Sequence, residues 1–447
     1  MIVKNEAELL PRALESTYNW VDEIIVVDTG STDNTVAVAK RFGATVYHHF
    51  WEGDFSKHRN QSIGYATGDW IFILDADEEL EAGIGGLLRK AVEDKEADSI
   101  EVLTINYHNS RTSQAWTRQI RIFRRSDRIY YDGIVHNRLV GACVSRFYPI
   151  KIHHYGYDLR KQDLEKKFRR TSVLINQQIM AEPGNYVHYM NLCVSYSMSG
   201  RNEKAVEAGL TAMRLHQTVG GAKSDGLWMC YIVASSYIKL GNPDKAEEFS
   251  LIALSIDEEC LDAYYILCIV CYRRCEWTNL EKYASQYLEL RERLEVGCNC
   301  GGGIVHSAGD KWRIHVMLAE AWLRRERFGK AQHESENAVK CARTGVEGLV
   351  SVGDVWRRTG NYHVARGYYL RALETERRNV DALFGLALIN KAAGKTNRYS
   401  VLMDYIDTDS INTPHILLEK GRRWLELGKY AEAQEVLCRG MQLRQSS

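Results

Sequence analysis

The chain has 447 residues, which is too long for one ordinary core and predicts two to four domains. Its 45% hydrophobic and 26% charged residues exclude a disordered chain, and its apolar runs fall far short of the roughly 20 residues that span a membrane. Lysine plus arginine equals aspartate plus glutamate at 58 each, so a nucleic-acid partner is not expected. The chain opens without a secretory leader, and its eleven cysteines suit a reducing compartment, so we expect a cytoplasmic location.

The first part of the chain, up to about residue 157, alternates short apolar segments with helical ones. The predicted strands include residues 23–27, 45–47 and 70–74, and a helix is predicted over residues 35–42. This rhythm predicts a parallel sheet with helices on both faces, in which ligands bind beyond the carboxyl ends of the strands. Asp28 and the pair Asp75 and Asp77 stand at two such ends.

The second part of the chain repeats with a period of 34 residues, as the spacing of Gly360, Gly394 and Gly428 shows. A turn glycine, an aromatic residue two positions later and small alanines at this period are typical of tetratricopeptide repeats. The predicted turn positions are Gly200, Gly241, Cys275, Glu326, Gly360, Gly394 and Gly428. They predict about six to seven repeats over residues 185–447, preceded by a helical linker over residues 158–184.

The spacing of the turn positions widens twice, which indicates insertions near residues 218–225 and 295–310. Because stacked repeats keep a fixed period, we expect both insertions to leave the stack as loops. The longer one is predicted to reach toward the N-terminal domain and to help bound its acceptor cleft, and the alternative is a disordered surface excursion.

The pair Asp75 and Asp77 is the first chemical candidate. Two carboxylates spaced i, i+2 at a strand end can hold one hard cation and leave sites for phosphate and water. The alternative is a solvated acidic turn before a helix.

Several motifs of the first part together resemble family 2 glycosyltransferases. The matching segments are residues 1–6, 26–35, 54–60 and 66–79, and the similarity is closest to bacterial members that fuse a GT-A domain to tetratricopeptide repeats. The resemblance implies an α/β GT-A (Rossmann-like) nucleotide-sugar-binding domain over residues 1–157, followed by an all-α tetratricopeptide-repeat solenoid. It also implies a nucleotide-diphosphate sugar donor, with a UDP-sugar favoured, a divalent cation (Mn²⁺ or Mg²⁺) and inversion at the anomeric carbon.

The resemblance carries roles to particular residues. Asp28 corresponds to the carboxylate that hydrogen-bonds the nucleobase. The other residues expected to contact the nucleotide sugar are Val3, Asn5, Glu6, Arg59, Asp75 and Arg121. Asp75 is expected at the ribose or the metal, Asp77 at the metal, and His154 at the metal or a phosphate.

The catalytic base is left open by the sequence. Many relatives carry glutamate after the histidine that His136 resembles, whereas this chain has Asn137. Inverting transfer needs a carboxylate or histidine that takes the acceptor's proton, so Asp132 and His136 are the candidates. A structural histidine is the alternative for His136.

The leading interpretation is a metal-dependent inverting transferase, and two others compete with it. One is an inactive GT-A domain that serves a repeat scaffold, and the other is a nucleotidyltransferase. The acceptor is expected to be a protein, a peptide or a cell-envelope glycan. A second copy of the chain, bound through the repeats, is a further candidate partner.

Overall fold

The computed structural model describes residues 1–108, 113–133, 137–156, 161–295, 304–406, 408, 411 and 413–445. The strands of these residues are β1 (Ile2–Val3), β2 (Ile25–Asp28), β3 (Thr45–His48), β4 (Trp70–Phe72), β5 (Glu78–Leu80), β6 (Ser99–His108), β7 (Ser113–Arg124), β8 (Tyr130–Asp132), β9 (Arg138–Val140), β10 (Ser145–His154) and β11 (Ile304–Val305). The helices of the α/β domain are α1 (Leu10–Thr17), α2 (Thr35–Arg41), α3 (Phe55–Tyr65) and α4 (Gly85–Ala91).

The remaining helices follow the sheet domain in sequence. They are α5 (Lys161–Ala181), α6 (Tyr186–Met198), α7 (Asn202–Val219), α8 (Lys223–Lys239), α9 (Pro243–Ile256), α10 (Leu261–Arg273), α11 (Trp277–Glu295), α12 (Lys311–Arg324), α13 (Phe328–Cys341), α14 (Val346–Arg358), α15 (Tyr362–Thr375), α16 (Val380–Ala392), α17 (Thr396–Tyr405), α18 (Pro414–Glu426) and α19 (Tyr430–Gln445). An α/β domain followed by a helical repeat array confirms the predicted fold class.

The sheet differs from the all-parallel arrangement predicted for it. Strands β1, β2 and β3 do pair in parallel, but β4 pairs antiparallel with β7 in a second, mixed sheet ordered β11-β7-β6-β10-β5. The reason is the long hairpin of β6 and β7, whose antiparallel register runs from Ser99↔Phe123 to His108↔Ser113. A hairpin needs no crossover helix, so the βαβ rhythm of the early chain does not reveal it.

The β6–β7 hairpin has one polar and one apolar face. On the polar face, Asn106 donates to Thr117 at 3.0 Å and Gln119 pairs with Thr104 at 2.7 Å. On the other face, Leu103, Ile105, Tyr107 and Trp116 share one hydrophobic core with the repeat helices. The alternation of strand side chains therefore assigns one face of the sheet to the candidate site and the other to the repeats.

The repeat array forms seven helical hairpins within the described residues, from α6–α7 to α18–α19. All seven predicted turn positions adopt positive φ. Five of them are glycines, and the other two are Cys275 with φ 59° and Glu326 with φ 60°. Positive φ ends the first helix of each pair and reverses the chain, which is why glycine dominates there. Helix α5 occupies the predicted linker and packs on α6.

The two insertions behave differently from the predicted loops. The first extends α7 to Val219, and the chain then turns at Gly220, whose φ is 66°. That prediction is wrong because a helix of a repeat can extend past its partner without disturbing the stack. The second insertion lengthens α11 to Glu295 and, after residues outside the described part, supplies β11 and a 3₁₀ turn (Ala308–Asp310).

The second insertion joins the repeats to the sheet domain, so its predicted reach toward that domain is confirmed. Strand β11 pairs antiparallel with β7 through Ile304↔Thr117 and Val305↔Trp116. The buried Asp262 of α10 accepts hydrogen bonds from the backbone N–H groups of His306 at 2.9 Å and Ser307 at 2.7 Å. The insertion is thus held by main-chain pairing on one side and by a carboxylate of the repeats on the other.

Candidate active site

The first part of the candidate site lies where β1 and β2 end. Asp28, the last residue of β2, is 4% exposed and accepts hydrogen bonds from the Ser31 N–H at 3.1 Å and from His48 Nδ1 at 3.2 Å. Burial raises the pKa of Asp28, but the hydrogen bonds from Ser31 and His48 outweigh it and hold that pKa below its usual value. Asp28 is therefore an anionic acceptor at the carboxyl end of β2.

The turn after β2 is held by the segment after β1. Asn5 has φ 56°, its N–H donates to Ser31 Oγ at 2.9 Å, and its side-chain oxygen accepts from the Thr32 N–H at 2.7 Å. The Glu6 N–H donates to Thr35 Oγ1 at 2.8 Å. Val3 adjoins this turn through its carbonyl, which accepts from the Thr29 N–H at 2.9 Å. The structure thus brings together the residues predicted to line the nucleoside pocket, and it uses the Asn5 amide to hold the turn.

A second cluster surrounds Asp75. Arg59 Nη2 donates to both carboxylate oxygens of Asp75 at 2.9 and 2.8 Å, and Arg121 Nη1 lies 3.6 Å from Asp75 Oδ2. Burial alone would raise the pKa of Asp75, but Arg59 and Arg121 outweigh it and hold that pKa far below its usual range. The structure therefore unites three predicted site residues in one ion-paired group.

Glu78 belongs to this cluster and was not among the predicted site residues. It is 1% exposed, its Oε2 accepts from the Asp75 N–H at 2.9 Å, and Arg121 donates to its Oε1. Burial raises the pKa of Glu78. The sequence could have indicated Glu78 by its position directly after the aspartate pair, at the first residue of β5.

Asp77 faces away from the arginines and toward β10. Its Oδ2 lies 3.4 Å from His154 Nε2, and its carbonyl accepts from the Tyr155 N–H at 3.0 Å. His154 Nδ1 lies 2.7 Å from Asn106 Oδ1, which fixes the ring so that Nε2 faces Asp77. Burial lowers the pKa of His154, but Asp77, Glu78 and Asp75 outweigh it and raise that pKa above its ordinary value. Asn106 could not be found from the sequence, because only the pairing of β6 with β10 places it here.

The pair of Asp77 and His154 fits a divalent cation as two of its ligands. A Cβ added at Gly156 would lie 2.1 Å from Asp77 Oδ2 and 2.7 Å from His154 Nε2, so glycine keeps the space beside both donor atoms open. A carboxylate oxygen and an imidazole nitrogen suit Mn²⁺. Among the described residues no group of three or more His, Cys, Asp or Glu side chains is arranged to hold a metal, so the other ligands would come from substrate and water.

Glu6 faces the same space from the β1 side. Burial, together with the charges of Asp77, Asp33 and Asp75, raises its pKa to about 7. Burial and three nearby carboxylates both favour the protonated form of Glu6, because a further negative charge is unfavourable there. A cation at this position would relieve that repulsion.

The two candidate bases lie on the segment after β7. His136 is outside the described residues. Asp132 ends β8 and its side chain is exposed. Helix α3 holds the segment in place, because Asn60 exchanges two hydrogen bonds of 2.8 Å with the backbone of Tyr131, and Ser56 Oγ donates to the Gly133 carbonyl at 2.6 Å. The Arg59 guanidinium lies 5.3 Å from the Tyr131 ring centroid, which links this segment to the Asp75 cluster.

Comparison with known families gives two matches along the chain. Residues 1–152 match the family described as Glycosyl transferase family 2, and residues 229–260 match the tetratricopeptide repeat. Among solved structures, a tetratricopeptide repeat protein from Parabacteroides merdae aligns with 63% of this chain and 98% of its own, at 14% identity and a TM-score of 0.42.

Two curated relatives match this chain with higher identity. A TPR repeat-containing protein of Synechococcus elongatus is 40% identical over 169 residues, which are 35% of this chain and 41% of that protein. The SPbeta prophage-derived glycosyltransferase SunS of Bacillus subtilis is 30% identical over 191 residues, which are 41% of this chain and 45% of that protein. The chain therefore spans less than half the length of these relatives.

Proposed function

We propose that this chain, a family 2 glycosyltransferase domain joined to tetratricopeptide repeats, transfers a sugar from a nucleoside diphosphate donor to an acceptor selected with help of the repeats. The observation that carries the proposal is the pair of Asp77 and His154, 3.4 Å apart, beside the arginine-held Asp75 at the ends of the strands. Such an arrangement serves a reaction in which negative charge grows on a departing phosphate group.

The donor is bound along the ends of β1, β2 and β4. The anionic Asp28 accepts a hydrogen bond from the N–H of the nucleobase, and the turn held by Asn5 covers the nucleoside. A UDP-sugar is favoured, because uracil offers such an N–H to a carboxylate. Asp75 lies on the path from the base to the diphosphate and contacts the ribose or the cation, while Arg59 and Arg121 hold its carboxylate in place.

Asp77 and His154 would hold the divalent cation, Mn²⁺ or Mg²⁺. When bound, the cation neutralises the charge that develops on the departing nucleoside diphosphate. The side chains of the protein orient that site: Asn106 fixes the His154 ring, and Gly156 leaves the room that the diphosphate needs.

The acceptor is activated from the segment after β7. Inversion requires a base on the face of the sugar opposite the leaving group, and Asp132 or His136 takes the acceptor's proton. The acceptor is a protein, a peptide or a cell-envelope glycan. The repeats select it, and a homodimer through the repeats is a further part of the proposal.

The location of the protein is proposed to be cytoplasmic, where nucleotide sugars and reduced cysteines coexist. No helix among the described residues is both long and apolar enough to cross a membrane.

The test compares two neighbouring acidic residues in the full chain. Purified protein is incubated with UDP-sugars and Mn²⁺, and released UDP is measured for the wild type, Asp77→Asn and Glu79→Gln. We expect Asp77→Asn to lower turnover by about 100-fold or more, because an amide is a poor ligand for a hard cation. Glu79→Gln is the matched control, because it makes the same change from acid to amide at a neighbouring residue. The carboxylate of Glu79 accepts a hydrogen bond from the Tyr155 hydroxyl at 2.9 Å and is not one of the proposed cation ligands.

The products separate the competing functions. Release of UDP supports glycosyl transfer, whereas release of pyrophosphate would indicate a nucleotidyltransferase. Equal turnover by the wild type and Asp77→Asn at limiting Mn²⁺ would contradict the metal assignment. Binding of UDP-sugar without turnover, with or without peptide or glycan acceptors, would support an inactive domain on a scaffold.

A further inference from the structure

The fourth repeat hairpin carries a cysteine, a histidine and a glutamate in one connected group. Glu334 Oε2 of α13 lies 2.6 Å from His315 Nδ1 of α12. His315 is 6% exposed and also hydrogen-bonds the thiol of Cys341, the last residue of α13. The carboxylate thus holds the ring at Nδ1, and the same ring interacts with the thiol. The same order of groups activates cysteine nucleophiles in enzymes.

Cys341 differs from the cysteines in the core of the repeats. Burial raises the pKa of the Cys193 and Cys230 thiols to about 12, which makes them inert packing residues. The hydrogen bond from His315 lowers the pKa of Cys341, against the smaller opposite effect of its burial, and the charges of Lys311 and Lys340 act in the same direction. The Cys341 side chain is exposed, so a reagent can reach it.

A cavity of about 160 Å³ adjoins this thiol at the junction between the repeats and the sheet. Its lining includes Cys341, Gln114 of β7 and three cationic side chains, Arg291, Lys311 and Arg343. Two carboxylates, Glu295 and Glu347, also line it. The lining side chains carry three positive and two negative charges, which favours an anionic ligand. Glu295 lies 2.9 Å from Arg291, and Glu292, outside the lining, lies 3.7 Å from Lys311.

We propose that Cys341, His315 and Glu334 form a thiol modification site that reacts with small disulfides bearing carboxylates. The Cys341 thiolate attacks one sulfur of the disulfide, a bond forms between the two sulfurs, and the original S–S bond breaks. The departing thiolate takes the electron pair and receives the proton that the His315 imidazolium carries. Cys341 is thereby oxidised to a mixed disulfide, and one half of the reagent is reduced to a thiol.

Side-chain contacts connect the surroundings of Cys341 to the candidate active site. Arg343, two residues after Cys341, lies with its guanidinium 4.1 Å from the Tyr107 ring centroid, and Tyr107 stacks on Tyr155 at 5.1 Å. Tyr155 donates its N–H to the Asp77 carbonyl at 3.0 Å. A group attached to Cys341 therefore enters the cavity where the repeats contact the sheet, and the contacts of Tyr107 and Tyr155 connect this place to Asp77.

The test measures the rate of modification at each cysteine. The full chain is incubated with glutathione disulfide at pH 7, quenched with acid, digested and mapped by mass spectrometry over all eleven cysteines. We expect Cys341 to react about tenfold faster than the exposed Cys143, Cys275 and Cys438, because the thiolate is the attacking species. Cystamine, a cationic disulfide, is expected to react more slowly than glutathione disulfide at Cys341.

Variants separate an activated thiol from one that is merely accessible. His315→Asn and Glu334→Gln should each slow the reaction of Cys341 several-fold. The control is His333→Asn, on the same helix as Glu334 and Cys341, which should leave that rate unchanged. Rates in 8 M urea provide the reference, in which all variants should react alike. Equal rates at Cys341 and Cys275 in the folded chain, or an unchanged rate in Glu334→Gln with an unchanged melting temperature, would overturn the proposal. A variant that melts early is replaced by His315→Gln, which keeps a hydrogen-bonding side chain in the hairpin.

Discussion

Asp75 and Asp77 are two residues apart, but their side chains have different partners and therefore different roles. Both oxygens of Asp75 are bound by Arg59, whereas Asp77 meets His154 beside the space that Gly156 leaves. The sequence predicted that the two carboxylates together could hold one cation. The structure makes Asp75 the partner of two buried arginines, so its removal affects folding as well as binding.

Asp75→Asn is expected to lower the free energy of unfolding by about 3 kcal/mol, because Arg59 and Arg121 would lose the carboxylate that compensates their burial. Asp77→Asn is expected to change that free energy by less than about 0.5 kcal/mol. Urea denaturation of both variants, followed by circular dichroism, checks the difference. Equal destabilisation by the two substitutions would mean that Asp77 is also a structural residue.

A single residue of the insertion also links charge to stability. Burial raises the pKa of Asp310 from the ordinary 3.8 to about 6. Between these two values the unfolded chain releases the proton and the folded chain keeps it, so the folded state loses stability as the pH rises from about 4 to about 6. Below about 4 both states are protonated, and above about 6 both are ionised.

Asp310→Asn removes this dependence, since an amide does not titrate. We expect the stability of the variant relative to the wild type to rise as the pH increases from 4 to 6 and to level off above 6. Urea denaturation of both proteins at half-unit intervals of pH measures the difference. If the free energies of unfolding of the wild type and Asp310→Asn differ by a constant amount across this range, Asp310 is ionised in the folded protein at pH 4.

At the scale of elements, the turns of the repeats were the most predictable part of the molecule. A left-handed residue is needed at each turn, and the 34-residue spacing, interrupted by two wider intervals, marked all seven, including Cys275 and Glu326. The β6–β7 hairpin and the contact between Asn106 and His154 were not predictable. The contact depends on the pairing of β6 with β10, which lie far apart in sequence, and the hairpin is not revealed by the βαβ rhythm of the early chain. The first insertion was mispredicted because a longer helix and a loop have the same effect on spacing.

Glu326→Gly is expected to raise the free energy of unfolding by about 1 kcal/mol, since glycine adopts φ 60° without the strain that a Cβ brings. The side chain of Glu326 is exposed, so little packing is lost. Glu326→Ala is the matched control, because it removes the carboxylate and keeps the Cβ. Chemical denaturation of both variants gives the comparison, and equal stability of the two would exclude backbone strain at this turn.

At the scale of the whole molecule, the sheet and the repeats share one core. Leu103, Ile105, Tyr107 and Trp116 pack with residues of α8 to α12, and Arg291 lies 3.9 Å from the Trp116 ring centroid. The N-terminal part is therefore a sequence unit whose apolar face is covered by the repeats. This shared core explains why a domain that could be recognised from its motifs need not fold by itself.

A fragment of residues 1–156 is expected to aggregate or to bind apolar dyes, because four large side chains of the hairpin would face water. A chain ending at residue 378 keeps α5 to α15 and every one of these contacts, so it should remain soluble and bind UDP. Light scattering and calorimetric titration with UDP and Mn²⁺ test both. A fragment of residues 1–156 that is monomeric and binds UDP as tightly as the full chain would contradict the shared core.

The pairing of β11 with β7 has a consequence for the newly made chain. Thr117 leaves the ribosome about 190 residues before its partner Ile304, an interval on the order of 10 to 40 s at ordinary rates of synthesis. During that time this end of β7 exposes unpaired backbone groups, which are a template for aggregation. Translation that stops between residues 125 and 300 should therefore give insoluble products, and slowing synthesis in that stretch should increase the demand for chaperones.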